Sequence, residues 1–213
     1  MSTLFSLRNV RQHGLCYPDM DIGECCTSFI TGASGCGKSS LFCLLNGTAQ
    51  AESGTLVYRS RPIEDYEPLA LRREVLLVGQ QVFLFDGSIQ DNFATFYEYR
   101  HKPCPSAATM LAMLALCQLD MPLHTACAHL SGGERQRVYV ALFLSLQTPV
   151  LLLDEPSAAL DAHTAHAMLG ALHAHCQARG ASLLVISHDV SLAQRYAHTH
   201  IALPTPHKEQ NHE

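Results

Sequence analysis

Two stretches of the chain are unbroken aliphatic runs. Residues 150–153 read Val-Leu-Leu-Leu and residues 182–186 read Ser-Leu-Leu-Val-Ile. A run with no polar alternation suits a strand buried on both faces. Shorter strand patterns fall at residues 4–10, 25–31, 55–58 and 75–78. Helical patterns fall at 38–46, 106–117, 134–146, 162–178 and 190–197; the segment 106–117 is rich in the strong helix formers Ala, Leu and Met. From Gln90 to His129 the character changes, and Pro103, Pro105 and Pro122 punctuate the region, which reads as an inserted helical subdomain. Strands alternating with helices predict an α/β fold with a parallel sheet covered on both faces, after a β-rich start. From Pro204 the chain is polar and reads as a frayed tail.

A chain of 213 residues with 47% hydrophobic content suffices for one domain with a full core and a small insertion. The net charge of -5 gives no electrostatic reason to expect nucleic acid. Charged residues make up 15% of the chain, against about 25% in ordinary soluble proteins; partner proteins are therefore expected to cover much of the surface. The nine cysteines are irregularly spaced, with no Cys-x-x-Cys. Reduced thiols in a cytoplasmic protein are the simplest expectation. Cys25, Cys26, Cys36 and Cys43 lie in stretches that read as core. The start of the chain lacks a signal-peptide layout. The longest apolar stretch, 107–119, is too short for a bilayer. Any passage through a membrane is expected from another chain.

The candidate chemistry begins at Gly32, Ala33, Ser34, Gly35, Cys36, Gly37, Lys38 and Ser39, between a strand pattern and a helix pattern. Glycines let the backbone approach an anion closely, and successive N–H groups at a helix start converge on phosphates. Lys38 adds a full positive charge near the β and γ phosphates, and the Ser39 hydroxyl suits Mg²⁺. Only Lys102 and Lys208 accompany Lys38 as lysines. The buried run ending at Leu153 leads into Asp154 and Glu155. Ligands sit at the carboxyl ends of strands in such sheets. Two adjacent acids there suit two roles, Asp154 toward Mg²⁺ and Glu155 toward an attacking water. Residues 130–137 read Leu-Ser-Gly-Gly-Glu-Arg-Gln-Arg. This is a turn opening a helix, with Ser131 and Glu134 spaced as a capping box.

With these stations in this order, the chain resembles the ATP-binding subunit of ABC transporters over nearly its whole length. Gln80 and Ser187-His188-Asp189 complete the pattern. Ser131-Gly132-Gly133 separates this family from kinases and GTPases. The resemblance implies a P-loop NTPase fold with a RecA-like parallel-sheet core, a small N-terminal antiparallel β part and an inserted α-helical subdomain. It implies one domain: residues 1–89 and 135–203 as nucleotide-binding core, 90–134 as helical subdomain and 204–213 as a polar tail. ATP and Mg²⁺ are the implied ligands. Glu155, His188 and Gln80 are implied in catalysis; Ser39, Gln80 and Asp154 around the metal; and residues 32–40, including Ser40, around the nucleotide. Ser131, Gly132, Gly133 and Asp161 are implied to meet the nucleotide of a second copy in an ATP-sandwich homodimer.

Departures from the family pattern are local. Ser40 stands where threonine is usual, and Ala158 where serine is common. No aromatic clearly fills the place where adenine stacks; His13 lies near, and Tyr17 aligns with a later core strand. The resemblance further implies a separate integral-membrane permease, a cytoplasmic location peripheral to the inner face of the cell membrane, and ATP hydrolysis coupled to transport. It is strongest to small stand-alone bacterial subunits, including those of metal or iron exporters. The alternatives are a soluble ABC ATPase acting on cellular machinery, and a protein that holds ATP without turnover. His173/His175 is expected as a surface pair, since positions two apart on a helix face different directions; His198/His200 would share a face if extended, but no carboxylate or cysteine cluster joins it, and neither pair is counted as a metal site.

Overall fold

The computed structural model describes residues 2–205; the remainder of the tail expected to fray lies outside the described residues. Its strands are β1 (Thr3–Gln12), β2 (Leu15–Cys16), β3 (Met20–Gly23), β4 (Thr27–Thr31), β5 (Ser53–Tyr58), β6 (Arg61–Pro62), β7 (Val75–Val78), β8 (Val150–Asp154), β9 (Ser182–Ile186) and β10 (Thr199–Ala202). Its helices are α1 (Lys38–Leu45), α2 (Pro68–Glu74), α3 (Ile89–Tyr99), α4 (Ala107–Leu116), α5 (Gly132–Ser145), α6 (Ala162–Ala178) and α7 (Val190–Tyr196). One sheet is antiparallel, in the order β2-β1-β5-β6, with β3 also paired to β1. The second sheet has the order β10-β4-β9-β8-β7, and every neighbouring pair in it is parallel.

The aliphatic runs occupy the middle of the parallel sheet because both of its faces are covered. Leu151, Leu153, Leu183 and Val185 point into one core, which they share with α3, α4, α5, α6 and α7. Val150, Leu152, Leu184 and Ile186 point into another, shared with α1 and the antiparallel sheet. Alternate residues therefore serve opposite cores, and polar alternation is lost from the sequence.

Boundaries differ from the sequence reading where a cap decides them. α5 starts at Gly132, two residues before the predicted start, because Ser131 caps it: Glu134 N donates to Ser131 Oγ at 3.3 Å and Ser131 N donates to Glu134 Oε2 at 2.8 Å. α3 opens in the same way on Ser88 and Asp91. Cys25, read as core, is exposed in a turn with φ +55°. Tyr17 is buried, but it lies in the connection between β2 and β3 rather than in a strand. The short α2 and the edge strand β10 were not read from the sequence.

Candidate active site

The register of the parallel sheet gathers the chemistry at one edge. Ile30 and Asp154 both pair with Ile186, and Val78 pairs with Leu153. The residues that follow these strand ends are Gly32, Gln80, Glu155 and His188, brought together from four chain segments. A cavity of about 300 Å³ opens there, walled by the phosphate loop (Ser34, Gly35, Gly37, Lys38, Ser39, Ser40) together with Leu15, Gln80, Glu155 and His188.

The phosphate loop is shaped by what lies beneath it. Gly37 has φ +92°, and a Cβ there would come within 2.6 Å of Leu15 Cδ1 and 2.9 Å of the Tyr17 hydroxyl. Tyr17 donates to Gly37 O at 3.1 Å, and burial pushes its pKa up to about 12. The ring therefore supports the loop from below and is not a stacking surface. At Gly32, φ +153°, a Cβ would come within 2.6 Å of Cys36 Sγ, which explains the buried position of that cysteine. Lys38 is 6% exposed and its Nζ donates to Gly32 O and Ala33 O, each at 3.0 Å. The ammonium is thus fixed inside the curve of the loop by the loop's own carbonyls.

Asp154 and Glu155 are adjacent in sequence but differ in environment. Asp154 is buried at the end of β8, and burial holds its carboxyl above the usual carboxylate range; the neighbouring Glu155 adds to the shift, while Ser39, Gln80 and Lys38 oppose it. Gln80 Nε2 lies 3.5 Å from Asp154 Oδ1. Ser39, Gln80 and Asp154 therefore form one oxygen-rich cluster beside the loop, a hard donor set that fits Mg²⁺. Glu155 reaches the cavity instead, and its Oε1 lies 2.8 Å from His188 Nε2. Asp189 plays a structural part next to it, capping α7 by accepting from Ser191 N at 2.8 Å.

Ser131, Gly132, Gly133 and Asp161 do not line this cavity. Ser131 and Gly132 are exposed at the start of α5. A Cβ on Gly133 would come within 3.3 Å of Ala159 O, so this start packs against the loop leading to Asp161. Asp161 caps α6, accepting from Thr164 N at 3.0 Å and Thr164 Oγ1 at 2.7 Å. His13 does not reach the cavity either; it stands on an exposed turn, 3.7 Å from Glu52 Oε1. The apolar wall near the loop comes from Leu15, which sequence reasoning missed because a lone leucine in a two-residue strand carries no signal. Also missed was Gln136, whose Nε2 donates to Glu155 O at 3.0 Å.

His173 and His175 are half-buried rather than on the surface, whereas His198 and His200 are exposed. His173 stacks on His198 with ring centroids 5.4 Å apart, and its Nδ1 lies 2.9 Å from Thr27 Oγ1. His175 Nε2 is buried with no hydrogen-bond partner among the described residues.

Comparison with known proteins agrees with this architecture. The ABC transporter family model matches residues 18–158, more than half of the chain. The chain is 41% identical over 170 residues to the ATP-dependent lipid A-core flippase of Xanthomonas euvesicatoria pv. vesicatoria (strain 85-10), a match covering 76% of this chain and 28% of the flippase. It thus spans under a third of the length of that curated relative. Among solved structures, a bacterial Atm1-family ABC exporter with ATP bound shares the fold at a TM-score of 0.84 and 24% identity, covering 96% of this chain and 38% of the exporter. The ATP-binding cassette MJ0796, dimeric and bound to ADP and Pi, shares it at a TM-score of 0.82 and 23% identity, covering 95% of each chain. No helix among the described residues is long and apolar enough to cross a membrane. On the family model covering residues 18–158, the chain belongs to the ABC transporter family as an ATP-binding ATPase domain.

Proposed function

We propose that the chain hydrolyses Mg-ATP at the junction of two copies of itself and thereby drives a separate membrane permease. The observation that carries this reading is the convergence of Lys38, Gln80, the Asp154–Glu155 pair and His188 around one cavity. The amides of residues 32–40 and the Lys38 ammonium hold the phosphates. Ser39, Gln80 and Asp154 would hold Mg²⁺, which would supply charge neutralisation for phosphoryl transfer. Glu155 accepts a proton from the attacking water, and His188 and Gln80 orient the groups around the γ-phosphate. Catalysis is by positioning and electrostatics, with no covalent enzyme intermediate.

The homodimer reading rests on the placement of Ser131, Gly132 and Gly133. They form an exposed helix start, outside the cavity of their own chain. A helix N-terminus attracts anions, and here the anion is the γ-phosphate held by the facing copy. Asp161 sits on the same side, at the start of α6. The helical segment 90–134 acts as a subdomain that relays closure to the permease. Phe83 and Tyr99 support a docking surface beside it: they are 57% and 70% exposed, and both lie against Phe85, at 4.9 and 5.9 Å between ring centroids. Such a patch is unusual on a free surface. The chain accordingly works at the inner face of the cell membrane.

Phosphate release by the purified chain tests this reading. Replacing Glu155 by Gln is expected to slow hydrolysis by about 10²–10⁴-fold, the range for a general base, and to leave ATP affinity intact. Near-normal turnover in that variant removes Glu155 from the role.

A further inference from the structure

Glu155 has φ +51°, a conformation that residues with side chains adopt rarely. Pro156 follows it, and a residue before proline is biased toward extended backbone. A conformation of this kind persists only where its surroundings enforce it. Glu155 N donates to Ile186 O at 3.0 Å, and Glu155 O accepts from Ala158 N at 3.3 Å. Both are main-chain contacts. The shorter bond to the same carbonyl comes from a side chain, Gln136 Nε2 at 3.0 Å. Gln136 is half-buried on α5, little more than a turn from the Ser131 cap.

We propose that Gln136 is a positioning residue for ATP hydrolysis. Its amide holds the Glu155 peptide turned so that the carboxylate reaches the cavity and His188, and it ties that orientation to the helix that starts at Ser131. Without the amide, the carbonyl keeps only the longer bond from Ala158, and the backbone relaxes toward the extended region. The carboxylate then leaves its place, while every phosphate-loop donor stays where it was. The inference rests on the reading of Glu155 as the water-activating acid.

The test compares Gln136→Met, which keeps the length of the side chain but loses the donor, with Gln136→Ala, each alone and combined with Glu155→Gln. In either Gln136 variant kcat is expected to fall about tenfold, the worth of one hydrogen bond. KM and ATP affinity should stay at wild-type values. In the Glu155→Gln background the same changes should cost nothing further, because the group they position is already disabled. Wild-type kcat in both Gln136 variants overturns the proposal, and so does an undiminished loss in the Glu155→Gln background or a rise in KM at constant kcat. If Glu155→Gln alone is crippled and the Gln136 variants are not, this proposal fails and the reading of Glu155 stands. If Glu155→Gln alone is normal, both fail.

Discussion

Asp154 is 6% exposed, and burial holds its carboxyl above the usual range. For a carboxylate whose folded pKa is raised, the contribution to stability is present below the unfolded value and lost as pH rises through the folded one. A charge on Asp154 therefore weighs against the nucleotide-free fold. Asp154→Asn is expected to raise Tm in the absence of nucleotide and to abolish Mg-dependent hydrolysis. Thermal melting and phosphate release on the same sample check both halves; a lowered Tm contradicts the electrostatic account. Lys38 has the opposite character. Its partners are the loop carbonyls of Gly32 and Ala33, so Lys38→Ala removes both an anion-binding charge and a brace of the loop. ATP affinity by calorimetry should fall by at least tenfold, and unchanged affinity would refute the assignment.

These two residues were legible in the sequence because a phosphate loop and an aliphatic run ending in two acids carry fixed spacing. Gln136 and Leu15 were not. Their roles arise from contacts across 19 and 22 positions, with Glu155 and Gly37 respectively, and no local pattern encodes such distances.

Among the elements, α6 and α7 carry the loops of Asp161 and Asp189 at their starts. They are held to the sheet partly by histidines. Thr27 N donates to His198 Nδ1 at 3.1 Å, which requires that nitrogen to be unprotonated. His173 stacks on His198 and lies tilted against Tyr196. Burial lowers the pKa of His173, with His198 adding to the shift, and burial lowers that of His175, with Arg179 adding to it. For a histidine with a depressed folded pKa, stability is full above the ordinary value of about 6.5 and is lost as pH falls toward the folded value. Amide protection factors in α6 and β10, measured relative to the intrinsic exchange rate at each pH, are expected to fall between neutral pH and pH about 5, and less so in His173→Asn. Equal pH dependence in both proteins would remove His173 from this role.

The strands β7 and β9 and the helix α6 coincide with the segments read from the sequence, because long periodic or uniformly apolar runs leave little freedom. The edge strand β10, Thr-His-Ile-Ala, alternates weakly over four residues and was invisible. It exists because Thr27–Thr31 offers a free edge to pair with. The start of α5 was misjudged because the capping box sets the boundary, and helix propensity does not.

At the scale of the molecule, one sheet supplies the strand ends and the other closes the core beneath the phosphate loop. The result is a cavity with donors on its own side, and outside it an exposed helix start at Ser131. In the proposed homodimer two copies meet head to tail, each presenting its helix start to the other's cavity. The chain has a mass of 23.3 kDa. Light scattering on the Glu155→Gln variant, with and without Mg-ATP, measures this directly. The account predicts one-chain mass without nucleotide and about twice that mass with it, reversed by Ser131→Arg, which blocks the helix start. A variant that binds Mg-ATP and stays at the mass of one chain at every concentration would contradict it.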